Sequence, residues 1–233
     1  MLSFKNLSIG HHNVVLESIE GTLETNKITF LIGPNGSGKT SLLKTLAQII
    51  PPLKGVISTE EHPIYLTSDH QFQSGLTGKD LFDLYGSKAS KWYDEEVLEL
   101  FEIKDLLSYP LDTLSSGERQ RILICAVLFH KSSLLLLDEP LNHLDWNFAL
   151  KLKKIIQKYT KSGRSFLISN HDLNWSLNFE DTQTWVLFQK SIFLKNSTES
   201  VLSDVRLQKV FKIKTEIVSS PSKKIISLSE LED

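Results

Sequence analysis

The sequence predicts an α/β domain built on a parallel sheet, and three observations carry that prediction. Ile28-Thr29-Phe30-Leu31-Ile32 is an apolar strand-like run, and Leu134-Leu135-Leu136-Leu137 and Phe166-Leu167-Ile168-Ser169 have the length of strands buried inside a sheet. Strand-like and helical patterns alternate through the second half of the chain, as a parallel sheet requires. The first run enters a glycine-rich turn that opens a helical pattern, Ser41-Leu42-Leu43-Lys44-Thr45-Leu46-Ala47.

In chain order, residues 1 to about 30 alternate apolar and polar in short pieces. Val14-Val15-Leu16 and Ile28-Thr29-Phe30 are examples, and the pattern predicts antiparallel strands. Next, Gly33-Pro34-Asn35-Gly36-Ser37-Gly38-Lys39-Thr40 fits G-x-x-x-x-G-K-[ST] between a strand and a helix, the context in which that motif cradles nucleotide phosphates. Gly33, Gly36 and Gly38 allow close backbone approach to an anion. Successive N–H groups and the helix N-terminus then face the phosphates. Lys39 supplies a mobile positive charge, and the Thr40 hydroxyl can ligate Mg²⁺. The expected ligand is a nucleoside triphosphate with its metal.

Ile64-Tyr65-Leu66-Thr67 reads as a further strand, and residues from about 72 to 130 are mainly helical in pattern. Within them Trp92, Val97, Leu98, Leu100, Phe101 and Ile103 predict a largely buried helix. Leu134–Leu137 ends in Asp138-Glu139-Pro140, placing two carboxylates at the carboxyl end of a buried strand, where α/β sheets bind ligands. Asp138 suits Mg²⁺ binding, and Glu139 is placed to accept a proton from an attacking water. A histidine, His171, follows the next buried strand.

Bulk properties bound the function. A chain of 233 residues can bury a sizeable core as one domain, and its formal net charge of −2 offers no basic footprint for nucleic acid. The single cysteine, Cys125, lies in an apolar helical run and is expected to be a buried thiol. The start shows no signal-peptide pattern, and no apolar run approaches the roughly 18 residues of a spanning helix. Work at a membrane would need a partner.

Leu114-Ser115-Ser116-Gly117-Glu118 brings these parts together. The segment resembles the L-S-G-G-[QE] signature of ABC transporter ATP-binding subunits, with Ser116 in place of the first glycine. Read alone, it is a serine N-cap with an acidic first turn. The resemblance extends to Leu141-Asn142-His143-Leu144-Asp145, similar to the loop on the family's dimer seam, and to His171, matching the family's γ-phosphate sensor. It implies a P-loop NTPase (RecA-like) core with a small antiparallel β-subdomain and a helical subdomain at about 72–130, all in one nucleotide-binding domain spanning 1–233.

It further implies ATP and Mg²⁺ as cofactors, with ATP bound by residues 33–40. Ser115 and Gly117 would complete the site of the opposite subunit in a homodimer. Glu139, His171 and Lys39 become the catalytic residues, and Thr40 and Asp138 the metal ligands. At the adenine, where the family stacks a tyrosine, His11 takes the place, and a plain turn there is an equal reading. The family's metal-contacting glutamine is missing: spacing puts Ser68 there, with Gln71 and Gln73 just beyond.

The end of the chain, about 184–228, carries Val210-Phe211-Lys212-Ile213 and is similar to the importer branch for iron–siderophore, haem and cobalamin uptake. Lys212 stands where that branch often has glycine. A polytopic permease, a substrate-binding protein and a place on the cytoplasmic face of the membrane follow from that branch. An exporter subunit or a permease-free regulatory ATPase is the alternative. The chain carries neither the second nucleotide domain of translation relatives nor the heptads of DNA-repair relatives.

Overall fold

The computed structural model describes residues 1–10, 13–67, 74–86, 89–219 and 224–230. Its strands are Leu2–Gly10 (β1), Val14–Leu23 (β2), Ile28–Ile32 (β3), Lys54–Thr59 (β4), Ile64–Leu66 (β5), Leu134–Asp138 (β6), Ser165–Ser169 (β7), Thr182–Phe188 (β8), Ser191–Ser197 (β9), Ile213–Ser219 (β10) and Lys224–Glu230 (β11). The helices are Lys39–Leu46 (α1), Gly78–Leu84 (α2), Glu95–Leu100 (α3), Ser116–Leu128 (α4), Trp146–Lys161 (α5), Leu173–Leu177 (α6), Thr198–Leu202 (α7) and Arg206–Phe211 (α8).

The central sheet runs β5-β6-β7-β3-β8-β9, parallel from β5 to β8, with β9 antiparallel at one edge. Every residue of β3, β6 and β7 is buried, so these runs carry no polar alternation. In register, Asp138 at the end of β6 pairs with Ser169 at the end of β7. The antiparallel expectation therefore holds for Val14–Leu16 but is corrected for Ile28–Phe30. Phe30 stacks edge-on against Trp175 and Phe179 on one face, and Leu31 joins the apolar cluster on the other. A strand covered on both sides belongs inside a parallel sheet.

The antiparallel layer is β2-β1-β4. It rests on the central sheet through Phe4, whose ring meets the Trp185 ring edge-on at 5.9 Å. Gly21 permits this approach, because a Cβ there would stand 2.6 Å from Phe4 and 2.9 Å from Trp185.

Between β5 and β6 the chain forms a helical arm. Thr77 and Asp80 cap α2 reciprocally. The single buried helix expected across Trp92–Ile103 is shorter than its apolar pattern. Asp94 caps its start by accepting from Glu96 N–H, and Glu102 ends it in the left-handed region at φ +57°. Val97 and Leu98 are buried, whereas Leu100 is exposed and Trp92 and Ile103 are buried outside the helix.

Arg164, fully buried, ties arm to core. Its guanidinium donates to the carbonyls of Leu128, His130 and Ser132, and lies 4.3 Å from the Trp92 ring centroid. The chain closes through α7, α8 and the β10–β11 hairpin. Lys212, at the C-cap of α8, adopts φ +55°, the left-handed conformation that glycine takes most easily.

Candidate active site

β3 delivers the chain to residues 33–38 at the carboxyl end of the sheet. Gly38 takes φ +100° as the N-cap of α1 and offers no capping side chain, so the first N–H groups of that helix keep no side-chain partner. A Cβ on Gly38 would stand 2.7 Å from Val15. At Gly33 it would stand 2.6 Å from the Leu187 carbonyl. The Ser37 hydroxyl is buried without any hydrogen-bond partner, while Gly36 faces open space. A helix start without a side-chain cap, an unpartnered Ser37 hydroxyl and a loop packed too closely for a Cβ at Gly33 or Gly38 fit a phosphate chain. Lys39 Nζ donates to the Gly33 carbonyl at 2.8 Å and the Pro34 carbonyl at 3.3 Å, so its charge is folded over the loop. Burial holds its pKa below the usual lysine value, against the opposing pull of Glu139 and Asp138. Thr40, the next residue, is exposed.

The acidic end is held more tightly. Asp138 is buried, and both its oxygens are engaged: Oδ1 accepts from Ser169 Oγ at 2.5 Å and Oδ2 from the Tyr65 hydroxyl at 3.1 Å. Ser169 Oγ in turn accepts the Glu139 N–H at 2.9 Å. Glu139 sits at φ +49°, and its Oε1 lies 2.5 Å from His171 Nε2 while Oε2 accepts from Asn142 Nδ2 at 2.9 Å. Burial opposes the Glu139 carboxylate. Asn142, His171 and Lys39 together outweigh burial, leaving its pKa below the ordinary glutamate value. A cavity of about 300 Å³ opens here, lined among others by Glu139, Asn142, Trp146, Asn170 and His171. A fixed carboxylate beside a histidine at the mouth of a cavity can accept a proton from water.

Ser115 caps α4 in a reciprocal box: Glu118 N–H donates to Ser115 Oγ at 3.3 Å, and Ser115 N–H donates to Glu118 Oε2 at 2.9 Å. A Cβ on Gly117 would meet the His143 carbonyl at 3.1 Å, so this helix start packs against loop 141–145 of its own chain. Ser115 and Gly117 line a cleft with Glu118, His143 and Asp145, and no residue of the phosphate loop borders it. The structure thus brings Lys39 electrostatically to Asp138 and Glu139, and Glu139 to His171, but sets the Ser115–Gly117 segment apart. His11, Ser68, Gln71 and Gln73 lie outside the described residues. Tyr65, Asn142 and Ser169 are site residues to which sequence reasoning gave no individual role. The available signal for Ser169 was its place at a strand end, level with Asp138 once β6 and β7 are paired.

Comparison with known proteins decides the family. The sequence profile described as ABC transporter matches residues 16–142, more than half of the chain. The chain belongs to the ABC transporter family. The matched segment holds the phosphate loop and the acidic strand end, so its place there is the ATP-binding, ATP-hydrolysing cassette. It is 31% identical over 247 residues to the iron(3+)-hydroxamate import ATP-binding protein FhuC of Bacillus subtilis (strain 168), covering 94% of this chain and 91% of that one. It is 30% identical to the vitamin B12 import ATP-binding protein BtuD of Yersinia pseudotuberculosis serotype I (strain IP32953), covering 93% and 94%. Among solved structures, a chain of an inward-facing transporter assigned to the metal-chelate type superposes with a TM-score of 0.81 at 21% identity, over 99% of this chain and 97% of that one. That identity supports the fold alone. No helix among the described residues is long and apolar enough to cross a membrane.

Proposed function

We propose that this chain powers import of a metal chelate, of the iron–siderophore, haem or cobalamin type, through a separate polytopic permease. It would act as a homodimer on the cytoplasmic face of the membrane, with a substrate-binding protein delivering the cargo. The observation that carries the ATPase part is the meeting, at one end of the sheet, of the phosphate loop with Lys39 and of Glu139 held by His171 and Asn142. The importer part is supported by FhuC and BtuD, which align with this chain over nearly their whole lengths.

In this reading, the N–H groups of residues 33–40 and the Lys39 ammonium bind the phosphates of ATP. Thr40 and Asp138 would hold Mg²⁺, which neutralises phosphate charge when bound. So few protein ligands suit that ion, which keeps several waters. Glu139 accepts the proton of the attacking water, and His171, beside that carboxylate, would sense the γ-phosphate and help hold the water. Because Ser115 and Gly117 lie in a cleft of their own, the start of α4 would serve the nucleotide of a second copy, where a helix N-terminus favours anions.

Calorimetric titration and turnover with two variants test the ATPase. Lys39→Ala should weaken ATP binding roughly tenfold to a hundredfold, the worth of a charge-assisted contact to phosphate. Glu139→Gln should keep ATP binding and lose about 10²–10⁴ in hydrolysis. Normal hydrolysis by Glu139→Gln would move the base elsewhere. For direction, the permease that co-purifies with the chain can be reconstituted in vesicles. Solute driven outward by ATP would sink the import reading.

A further inference from the structure

Glu139 occupies a conformation that its own residue type disfavours. At φ +49° it lies in the left-handed region, directly before Pro140, so the surroundings must hold it there. Three groups do so. Ser169 Oγ takes its N–H, His171 meets Oε1, and Asn142 Nδ2 donates to Oε2. These contacts differ in kind. The serine fixes the main chain only. The imidazole is half exposed, and its Nε2 donates only in one tautomer or when protonated. The Asn142 amide alone gives the carboxylate a donor of fixed polarity. Its main chain adds to the tie, since Asn142 N–H donates to the Glu139 carbonyl at 3.1 Å. The following turn is closed by Leu144 N–H to the Leu141 carbonyl at 3.1 Å. It then runs into α5, where Asp145 caps by accepting Phe148 N–H at 2.7 Å. The Asn142 side chain therefore grips the catalytic carboxylate from a loop anchored at its other end.

We propose that Asn142 is a positioning residue for hydrolysis, its side-chain amide holding the Glu139 carboxylate in the orientation that receives the proton of water. The inference rests on Glu139 being the base. It asks nothing of Asn142 in binding nucleotide, so kcat and affinity should separate.

Asn142→Ala removes the donor and the volume, whereas Asn142→Asp keeps the volume and sets a second carboxylate against Glu139. Turnover should fall about tenfold or more in the first, the scale of a lost bond to a charged group, and at least as far in the second. ATP affinity by calorimetry and KM should stay within about twofold of wild type in both, as expected when a group acts on the chemical step alone. In the nucleotide-free chain, amide hydrogen exchange across 139–145 should quicken in both variants. In a Glu139→Gln background, Asn142→Ala should leave the residual hydrolysis unchanged, because its effect passes through the carboxylate. Wild-type turnover in Asn142→Asp would show that only volume matters and would overturn the proposal. So would a loss of ATP affinity matching the loss of turnover, or an equal further loss in the Glu139→Gln background. If Glu139→Gln itself hydrolyses normally, the failure lies with the base; if it is dead and Asn142→Ala is silent, it lies with this proposal.

Discussion

Ser169→Ala tests whether the acidic end of the site is held as described. The Ser169 side chain is fully buried and serves two neighbours, donating to Asp138 Oδ1 at 2.5 Å and accepting Glu139 N–H at 2.9 Å. Alanine deletes both contacts. A hydrogen bond to a charged group contributes about 1.5–3 kcal/mol, and an amide left without its acceptor costs about 1–3 kcal/mol more. Tyr65 continues to donate to Asp138 Oδ2, which keeps the total toward the lower end. The expected loss is about 3 kcal/mol, a large share of the roughly 5–15 kcal/mol that stabilises a typical protein. In urea titration, with a slope of about 2 kcal/mol per molar, the midpoint should fall by about 1.5 M. Hydrolysis should fall as well, since Glu139 loses the anchor of its main chain, and Ser169→Thr should restore both by keeping the hydroxyl. A midpoint within about 0.2 M of wild type would refute the reasoning, because so small a shift is worth under half a kcal/mol.

Two further expectations follow from local geometry. The bonds from the Ser115 hydroxyl and Ser115 N–H hold the Glu118 carboxyl below its ordinary 4.5, so its capping contribution is full above that pH and fades as pH falls through the lower folded value. The melting-temperature gap between wild type and Glu118→Gln should accordingly narrow as pH falls below about 4.5, and a gap that widens on acidification would contradict the cap. At the end of α8, Lys212→Gly should raise stability by about 1 kcal/mol, because φ +55° penalises a residue with a Cβ. Lys212→Ala should give no such gain, and equal melting temperatures for the two variants would sink that account.

How far the site could be read in advance depended on whether a residue's role is local. Gly33–Thr40 was legible because its chemistry lies in eight consecutive residues, and Asp138–Glu139 because a buried strand must end at the ligand-binding edge. Tyr65 and Ser169 were not, since their role depends on β5 lying beside β6 and β6 beside β7. Burial shows in a sequence, but the order of strands does not. The conformation of Glu139 was hidden too, as nothing in a glutamate announces φ +49°. In the arm, the apolar spacing from Trp92 to Ile103 read as one helix. Asp94 and Glu102 confine it to Glu95–Leu100, and the remaining apolar side chains reach the core from turns. The antiparallel expectation for Ile28–Phe30 failed because three residues are too few to separate a one-sided strand from a two-sided one.

The place of β3 in its sheet also sets a timetable for synthesis. β3 is complete at Ile32, yet its two neighbours are β7 and β8, which begin at Ser165 and Thr182. Until β7 has emerged, the strand that carries the phosphate loop has no edge to pair with, and its second edge waits for β8. Five consecutive residues that end up fully buried therefore wait in the open while most of the chain is made. Long-range parallel pairing of this kind is slow and exposes the waiting segment to aggregation. The loop at Gly33 packs against the Leu187 carbonyl at the end of β8, so nucleotide can stabilise the nascent chain only after that strand is in place.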